Sequence, residues 1–391
     1  MLDRFTVKDF KSLVDVQVDL GVVNVFIGAN GSGKSNLLEA IGVLGAAASG
    51  RVDDESLMHR GVRLGTPALY RSLFVSRPAV ADVRLGAANS RAEYEVSLVN
   101  PMARATPDWS YRRERLMSGT AAIVDRNPDS GTNLKIRAGL AALKSVEMLP
   151  TDPASQLIEL LRSYAIYAPN TPTLRGIEPD PQSRVPVGLA GGRLADAVFD
   201  IMSPDPTDIN GRGNWAQLMA DILPLVEWMS GYGVIGAQSD SVTHSLMSIG
   251  LHDKYIGAEL SGHESSEGAL YLLFLSVLAR HPDAPRLLAV DNFDHALNPR
   301  TARNFTAVYC RWLIEDGSRQ VLLTTHNPLV LDGLPLQDDR VRLFAVDRSK
   351  RGHTIVNRVV VNEALIRAAE KGIPLSQQWV SGSFGGVPSG V

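Results

Sequence analysis

Gly28-Ala29-Asn30-Gly31-Ser32-Gly33-Lys34-Ser35 fits the pattern GxxxxGK[ST] at every fixed position. It follows the apolar run Val22 to Ile27 and precedes a segment that reads as helix from about Lys34 onward. The chemistry of the pattern needs that setting. Glycines let the backbone curl until successive N–H groups point inward at phosphate oxygens. The helix that follows presents its positive pole to the same anion. Lys34 is expected to reach the β- and γ-phosphates of a nucleotide, and Ser35 to ligate Mg2+ through its hydroxyl.

Working outward, Val22 to Ile27 reads as a strand inside a sheet covered on both faces. Before it, Val14, Val16, Val18 and Leu20 alternate with Asp15, Gln17 and Asp19, the mark of a half-buried strand. Far downstream, Arg286 to Val290 and Val321 to Thr325 are short apolar strands. Phe305, Val308, Tyr309, Trp312 and Leu313 lie between them at helical spacing. This is a strand–helix–strand unit of a parallel sheet. The two strands end in Asp291 and His326, whose expected place is the crevice at the carboxyl edge of the sheet, where open α/β sheets bind ligands. Beside the cradle strand, Asp291 is expected to hold Mg2+ through water. Val341 to Val346 and Thr354 to Val361 then read as a hairpin around Arg348–Gly352.

The middle of the chain is different. Ala81, Val83 and Leu85 alternate with polar neighbours, as do Tyr94, Val96 and Leu98, so residues 65–137 read as a β-rich lobe. Arg112-Arg113-Glu114-Arg115 within it fits either a solvated strand edge or a phosphate-contacting patch. Residues 138–240 read as a helical insertion: Leu157, Leu160, Leu161 and Tyr164 share one helix face, and Trp215 to Met229 is helical. Between these, Pro169 to Gly192 reads as a long loop. The expected division is 1–64 for the first part of the nucleotide-binding unit, 65–137, 138–240, 241–365 for its second part, and a tail over 366–391 that is Gly- and Ser-rich and loose after Gly382.

Composition sets outer limits. With 391 residues, 45% hydrophobic and 21% charged, the chain is an ordinary globular one with room for two lobes. A net charge of −3 gives no global field favouring nucleic acid or an anionic membrane, although a local basic patch is compatible with it. One cysteine, Cys310, rules out an internal disulfide and fits a reducing compartment. The N-terminus lacks the basic-then-apolar layout of a signal peptide. The longest apolar stretch, Ala269 to Ala279, is about half the length a membrane span needs and reads as a buried helix. The expectation is a cytoplasmic protein without membrane association. His252, His263, His281 and His295 do not form a ligand-spaced set.

Four motifs in this order resemble ABC-type ATPases of the RecF/SMC kind, and more narrowly the compact AAA-like ABC ATPases of bacterial anti-phage and abortive-infection systems. Phe5-Thr6-Val7-Lys8-Asp9-Phe10-Lys11-Ser12-Leu13 resembles the family's first strand, leading to a GxNGSGKSN loop that here runs from Gly28 to Asn36. Ser265-Ser266-Glu267-Gly268-Ala269-Leu270 resembles the ABC signature, without its LSGGQ form. Asp291-Asn292-Phe293-Asp294-His295-Ala296-Leu297-Asn298-Pro299 aligns with the Walker B and D-loop stretch, and Thr324-Thr325-His326-Asn327-Pro328 with the switch histidine. The likeness covers roughly 1–75 and 245–348. It implies an α/β P-loop NTPase fold, the ABC ATPase head, with ATP and Mg2+ as cofactors. It adds Asn30, Ser32 and Asn36 to the glycines, Lys34 and Ser35 as nucleotide-binding residues. It also implies head-to-tail pairing into a homodimer or higher oligomer, with each ATP held by the cradle of one copy and by Ser266 and Gly268 of the other. Ser266 also fits a simple helix N-cap. Lys11 fits either a nucleotide contact or an exposed surface lysine.

The sequence departs from that family in three places. Asn292 stands where the family carries the glutamate that polarises the attacking water. An amide orients a water but accepts no proton near neutral pH. Phe293 replaces a proline, and no glutamine lies between Asn36 and Ala154 to supply the Q-loop. Asp294 and His326 are then the nearest candidate bases. The expectation is a slow ATPase acting as a nucleotide-gated sensor that controls a separately encoded effector, foremost a nuclease. The stretch after His326 is too short for the Toprim nuclease domain of overcoming-lysogenization-defect proteins. Two other readings stay open: a RecF-like repair ATPase that binds DNA, and a scaffold that binds ATP without hydrolysing it.

Overall fold

In the computed structural model, residues 1–75, 80–99, 109–127, 137–202, 211–236 and 247–387 are described. In chain order their strands are β1 (Arg4–Phe10), β2 (Leu13–Asp19), β3 (Val23–Ile27), β4 (Val83–Ala88), β5 (Ala92–Val99), β6 (Ser110–Ser118), β7 (Ala121–Arg126) and β8 (Ala165–Tyr167). They continue with β9 (Met229–Ile235), β10 (Ser248–Asp253), β11 (Ala258–Ser261), β12 (Leu287–Val290), β13 (Gln320–Thr325), β14 (Val341–Arg348) and β15 (Thr354–Val359).

Every residue of β3 is buried, and the reason is its place in the middle of a six-stranded sheet of order β15-β14-β3-β13-β12-β8. The strands run parallel except for β15, which closes the edge as the antiparallel arm of the expected hairpin. Alternate residues serve opposite faces. Val23, Val25 and Ile27 join the cluster formed by the helices Glu267–Arg280 and Pro299–Asp316, with Leu288, Val290, Val321 and Leu323. Phe26, Leu287, Ala289 and Leu322 face the helix Lys34–Ala48. A parallel strand covered on both sides reads as a continuous apolar run for this reason.

The helix Lys34–Ala48 is itself buried almost all round, because a second sheet covers its other side. That antiparallel sheet has the order β2-β1-β4-β5-β6-β7. The β-rich region 65–137 is thus completed by β1 and β2 from the first 64 residues, with Val7 opposite Leu85. Arg112–Arg115 lies on β6; Glu114 and Arg115 pair with both β5 and β7, whereas among the described residues Arg113 pairs with β5 alone. Its arginines point outward, while Glu114 is fully buried and accepts hydrogen bonds from Tyr94 Oη (3.1 Å), Leu140 N (2.7 Å) and Ala141 N (3.0 Å).

The 138–240 span holds the expected helix face, with Leu157, Leu161 and Tyr164 buried. It also supplies β8, which adds to the central sheet beside β12, and β9, which pairs with β10 in a small sheet of order β11-β10-β9. Trp215 to Met229 is helix only as far as Ile222; a 3-10 turn, Leu223–Leu225, leads into β9. The tail is not loose as far as Val387. The helix Leu375–Val380 buries Trp379, and Phe384 and Val387 pack against the same core. Residues 388–391 of the expected tail lie outside the described residues.

Candidate functional site

β3 ends at Ile27 and delivers Gly28 to the carboxyl edge of the sheet, where the loop turns into the helix at Lys34. Gly33 caps that helix at φ +111°, and Gly31 sits at φ +77°, both in the region that glycine enters without strain. A Cβ on Gly28 would lie 2.2 Å from the Val346 carbonyl oxygen, so β14 can run this close only past a glycine. The β14–β15 hairpin braces the loop from outside. Arg348 Nε donates to the Gly31 carbonyl at 2.8 Å. Thr354 Oγ1 lies 2.8 Å from the Ser32 carbonyl and 2.7 Å from Ser12 Oγ, which in turn accepts from Asn36 Nδ2 at 2.7 Å.

Inside the loop, Lys34 Nζ donates to the carbonyls of Gly28 (2.6 Å) and Ala29 (3.0 Å). Burial lowers its pKa, while the negative charges of Asp291 and Asp294 work in the opposite direction. Ser35 Oγ donates to Asp291 Oδ2 at 2.9 Å and lies 3.2 Å from Oδ1, joining residues 256 positions apart. The Thr324 hydroxyl, from the adjacent β13, also reaches Asp291 and accepts the Asn292 N–H at 2.8 Å. Asp291 N donates to the Tyr167 carbonyl at 2.9 Å, which ties the end of β12 to β8.

These groups fit a Mg2+–nucleoside triphosphate. Ser32 Oγ is buried without a hydrogen-bond partner, a donor free for a phosphate oxygen, and Lys34 Nζ spends its hydrogen bonds on two backbone carbonyls. Ser35 Oγ and the Asp291 carboxylate are hard oxygen donors of the kind Mg2+ takes one or two of, with water and phosphate completing its shell. Among the described residues no cluster of three or more His, Cys, Asp or Glu side chains could hold a metal by itself.

Lys11 is not an exposed surface lysine. Its side chain pairs with Glu39 from the cradle helix, and its ammonium lies 5.2 Å from the centroid of the Tyr70 ring. Arg63 Nε meets the other oxygen of Glu39 at 2.5 Å. Lys11 and Arg63 line a cleft of 540 Å³ beside the loop, together with Asn36, Tyr70, Phe74 and Arg348. His326 is exposed at the end of β13, one residue past Thr325, which is level with Ile27 on β3. Asn292 is exposed with φ +57°, and its carbonyl accepts from Tyr271 Oη at 2.9 Å. Asp294 is buried and accepts the Thr325 hydroxyl at 2.6 Å. Cys310 is buried, and its thiol is pushed up to about 12 by desolvation, so it is no nucleophile.

Ser266 and Gly268 stand apart from this group. They line a 440 Å³ cleft with Trp228, Ala296, Asn298 and Arg300, and no residue of the phosphate loop contributes to it. Ser266 holds the N-cap position of the helix Glu267–Arg280, but its hydroxyl makes no capping bond. Gly268 is required where it is, because a Cβ would lie 2.8 Å from the Ala296 carbonyl oxygen. The structure therefore brings together Gly28–Asn36, Lys11, Asp291, Asn292 and the neighbourhood of His326, while Ser266 and Gly268 line a cleft without any residue of the phosphate loop. Sequence reasoning missed Thr324, Thr354, Ser12, Arg63 and Arg348. Of these Thr324 alone carried a signal, as a hydroxyl that, with Thr325, ends a buried apolar run.

Residues 158–332 match a family model described as "AAA domain, putative AbiEii toxin, Type IV TA system", and residues 1–58 match one described as "AAA ATPase domain". Among curated proteins, the DNA replication and repair protein RecF of Renibacterium salmoninarum is 45% identical over 123 residues, covering 28% of this chain and 30% of that protein. RecF of Beutenbergia cavernae is 37% identical over 124 residues, covering 31% and 30%. The matches thus span about a third of the relatives' length. Two solved structures share the fold at 13% identity. One is the Smc head bound to the C-winged helix domain of ScpA (TM-score 0.56, 93% of this chain and 99% of that one). The other is the Smc head with an extended coiled coil derived from Pyrococcus furiosus, bound to the C-terminal domain of ScpA (0.54, 95% and 99%). No helix among the described residues is long and apolar enough to cross a membrane.

Proposed function

We propose, for a chain that is an ABC-type ATPase of the RecF/SMC-like class, that it is a slow, ATP-gated regulator. It binds MgATP, pairs head to tail with a second copy, and controls a separately encoded effector, foremost a nuclease, in bacterial anti-phage defence. The observation that carries the nucleotide site is the contact of Ser35 with Asp291 across 256 positions of sequence. It sets a hydroxyl and a carboxylate side by side at the mouth of a loop whose Lys34 sits on backbone carbonyls alone.

In this reading the loop N–H groups and Lys34 bind and orient the phosphates, and Ser35 and Asp291 hold Mg2+, which supplies charge neutralisation for phosphoryl transfer. Thr324 fixes the Asp291 carboxylate, and Asn292 orients a water. His326 is the exposed group with a basic atom near the loop and is the candidate to take the proton. With no carboxylate at position 292, turnover is expected below about 1 s⁻¹. That no residue of the phosphate loop lines the cleft of Ser266 and Gly268 supports closure of the site by a second copy. Light scattering tests this: the mass doubles with MgATP in the wild type and not in Lys34→Ala. A wild type that binds ATP and keeps its mass refutes the pairing. The effector is sought by co-purification with the product of a neighbouring gene.

The RecF relatives favour a second reading, an ATPase that engages DNA. It predicts a gel shift that strengthens with ATP and weakens steeply as salt rises.

A further inference from the structure

The last described residues connect the two ends of the site. The 3-10 turn Pro328–Gly333 follows His326 after its N-cap residue Asn327, and it is tied to the helix Leu375–Val380 by one carboxylate. Asp332 Oδ1 accepts the Ser376 N–H at 2.9 Å, and Oδ2 accepts the Ser376 hydroxyl at 2.6 Å. From there the chain buries Trp379 beside Leu331, Ile27 and Ala345 in one cluster. It then turns at Gly385 (φ +83°) and Gly386 (φ +81°). Gly386 N donates to Asp347 Oδ2 at 2.6 Å, and its carbonyl accepts the Ala29 N–H at 3.1 Å. Ala29 is the second residue of the phosphate loop. The glycine pair is needed here: a Cβ on Gly385 would lie 2.8 Å from Asp347 Oδ2, and one on Gly386 would lie 2.9 Å from Trp379 Nε1.

We propose that residues 375–387 form a clasp between the His326 segment and the phosphate loop, with Asp332 and Asp347 as positioning residues at its two ends. These carboxylates accept their bonds from Ser376 and Gly386. Their task is to hold the backbone after His326 at a set spacing from Ala29. Displacing a reacting group by about 1 Å lowers rate far more than it lowers ligand affinity. The consequence for catalysis rests on the ATPase reading above; the mechanical link does not.

The test uses the full chain carrying Asp332→Ala, Asp347→Ala, both together, or Asp347→Asn, with Ser376→Ala as a milder cut at the Asp332 end. Hydrogen exchange is followed in the nucleotide-free protein for peptides covering 28–35. Single-turnover hydrolysis and the Kd for ATP are measured alongside. Each alanine variant is expected to speed exchange of the loop amides by about threefold to tenfold. Hydrolysis slows by a similar factor while Kd stays within about twofold. The double variant resembles the worse single one, since opening either end opens the clasp. Asp347→Asn keeps an acceptor oxygen for Gly386 and restores the wild-type behaviour. Loop exchange unchanged in both Asp332→Ala and Ser376→Ala, or multiplicative effects in the double variant, overturn the clasp. A wild type that fails to bind ATP sinks the ATPase reading instead, and the exchange data still decide the clasp.

Discussion

Two glycines of one loop should respond differently to the same added methyl group. In Gly33→Ala the new Cβ would stand 2.1 Å from Thr354 Oγ1 and 2.9 Å from Ser12 Oγ, at φ +111°. Thr354 is buried and stiff at its branched Cβ, and its hydroxyl holds both the Ser32 carbonyl and Ser12. Rotating it away sacrifices two hydrogen bonds at about 1 kcal/mol each. The unfavourable φ adds about 1–3 kcal/mol, for a total of about 3–5 kcal/mol. In Gly31→Ala, at φ +77°, the Cβ meets nothing within 4 Å, so only the backbone term of about 1–2 kcal/mol applies. Urea unfolding of the nucleotide-free proteins measures both, provided the slope is unchanged between variants. Equal destabilisation of the two variants, or a Gly33→Ala protein within about 0.5 kcal/mol of wild type, would refute the bracing of the loop by Thr354.

Thr324→Val keeps shape but removes the hydroxyl between Asp291 and the Asn292 N–H. It should cost about 1–3 kcal/mol and lower hydrolysis more than ATP affinity; unchanged single-turnover rates would count against Thr324 as the carboxylate's anchor. Lys34 has a pKa lowered by burial from 10.5. Between the lowered value and 10.5 the unfolded chain holds more protons, so this residue makes nucleotide-free stability rise with pH across that window, while ATP affinity, which needs the ammonium, falls. Melting curves of wild type and Lys34→Met over alkaline pH check the sign, since the Met variant should lose that component. Asn292→Glu should raise turnover by about 10²-fold or more if a missing base limits the rate; a steady-state rate unchanged by the substitution assigns the limit elsewhere.

What the sequence revealed and what it hid divide along physical lines. The Gly28–Ser35 pattern is local: its glycines, lysine and serine act through backbone geometry set within eight residues, so reading them needs no tertiary contact. β8 is the opposite case. Ala165-Ile166-Tyr167 is three residues long, too short to show a period, and is a strand only because β12 lies beside it. β9 and β10 carry Gly231, Gly233 and Gly250, which weaken the strand signal, and Gly250 is tight against Glu259 of β11. The tail misled for a related reason. Glycine and serine suggest looseness where their contacts are unknown, yet Gly385 and Gly386 are where Asp347 and Trp379 leave no room for a side chain. Thr354 and Arg348 were invisible as site residues because they act on the loop's carbonyls from other strands, over 322 and 317 positions of separation respectively.

The backbone at position 292 bears on why an amide stands there. Asn292 adopts φ +57°, with its N–H held by Thr324 and its carbonyl by Tyr271. Asparagine enters that left-handed region more readily than glutamate, whose longer side chain gains no local hydrogen bond to offset the clash. A glutamate at this site therefore acts in opposite directions: it adds a base, and it strains a residue fixed on both sides by about 1 kcal/mol. Asn292→Gly is the complementary variant, because it relieves the left-handed backbone and supplies no base, while also removing the water-orienting amide. It should be at least as stable as wild type and slower, whereas Asn292→Glu should be less stable and faster. If stability and rate instead moved in the same direction in both variants, the left-handed geometry would have no part in the choice of residue. The slow turnover would then have to be sought in the closing of the site by the second copy.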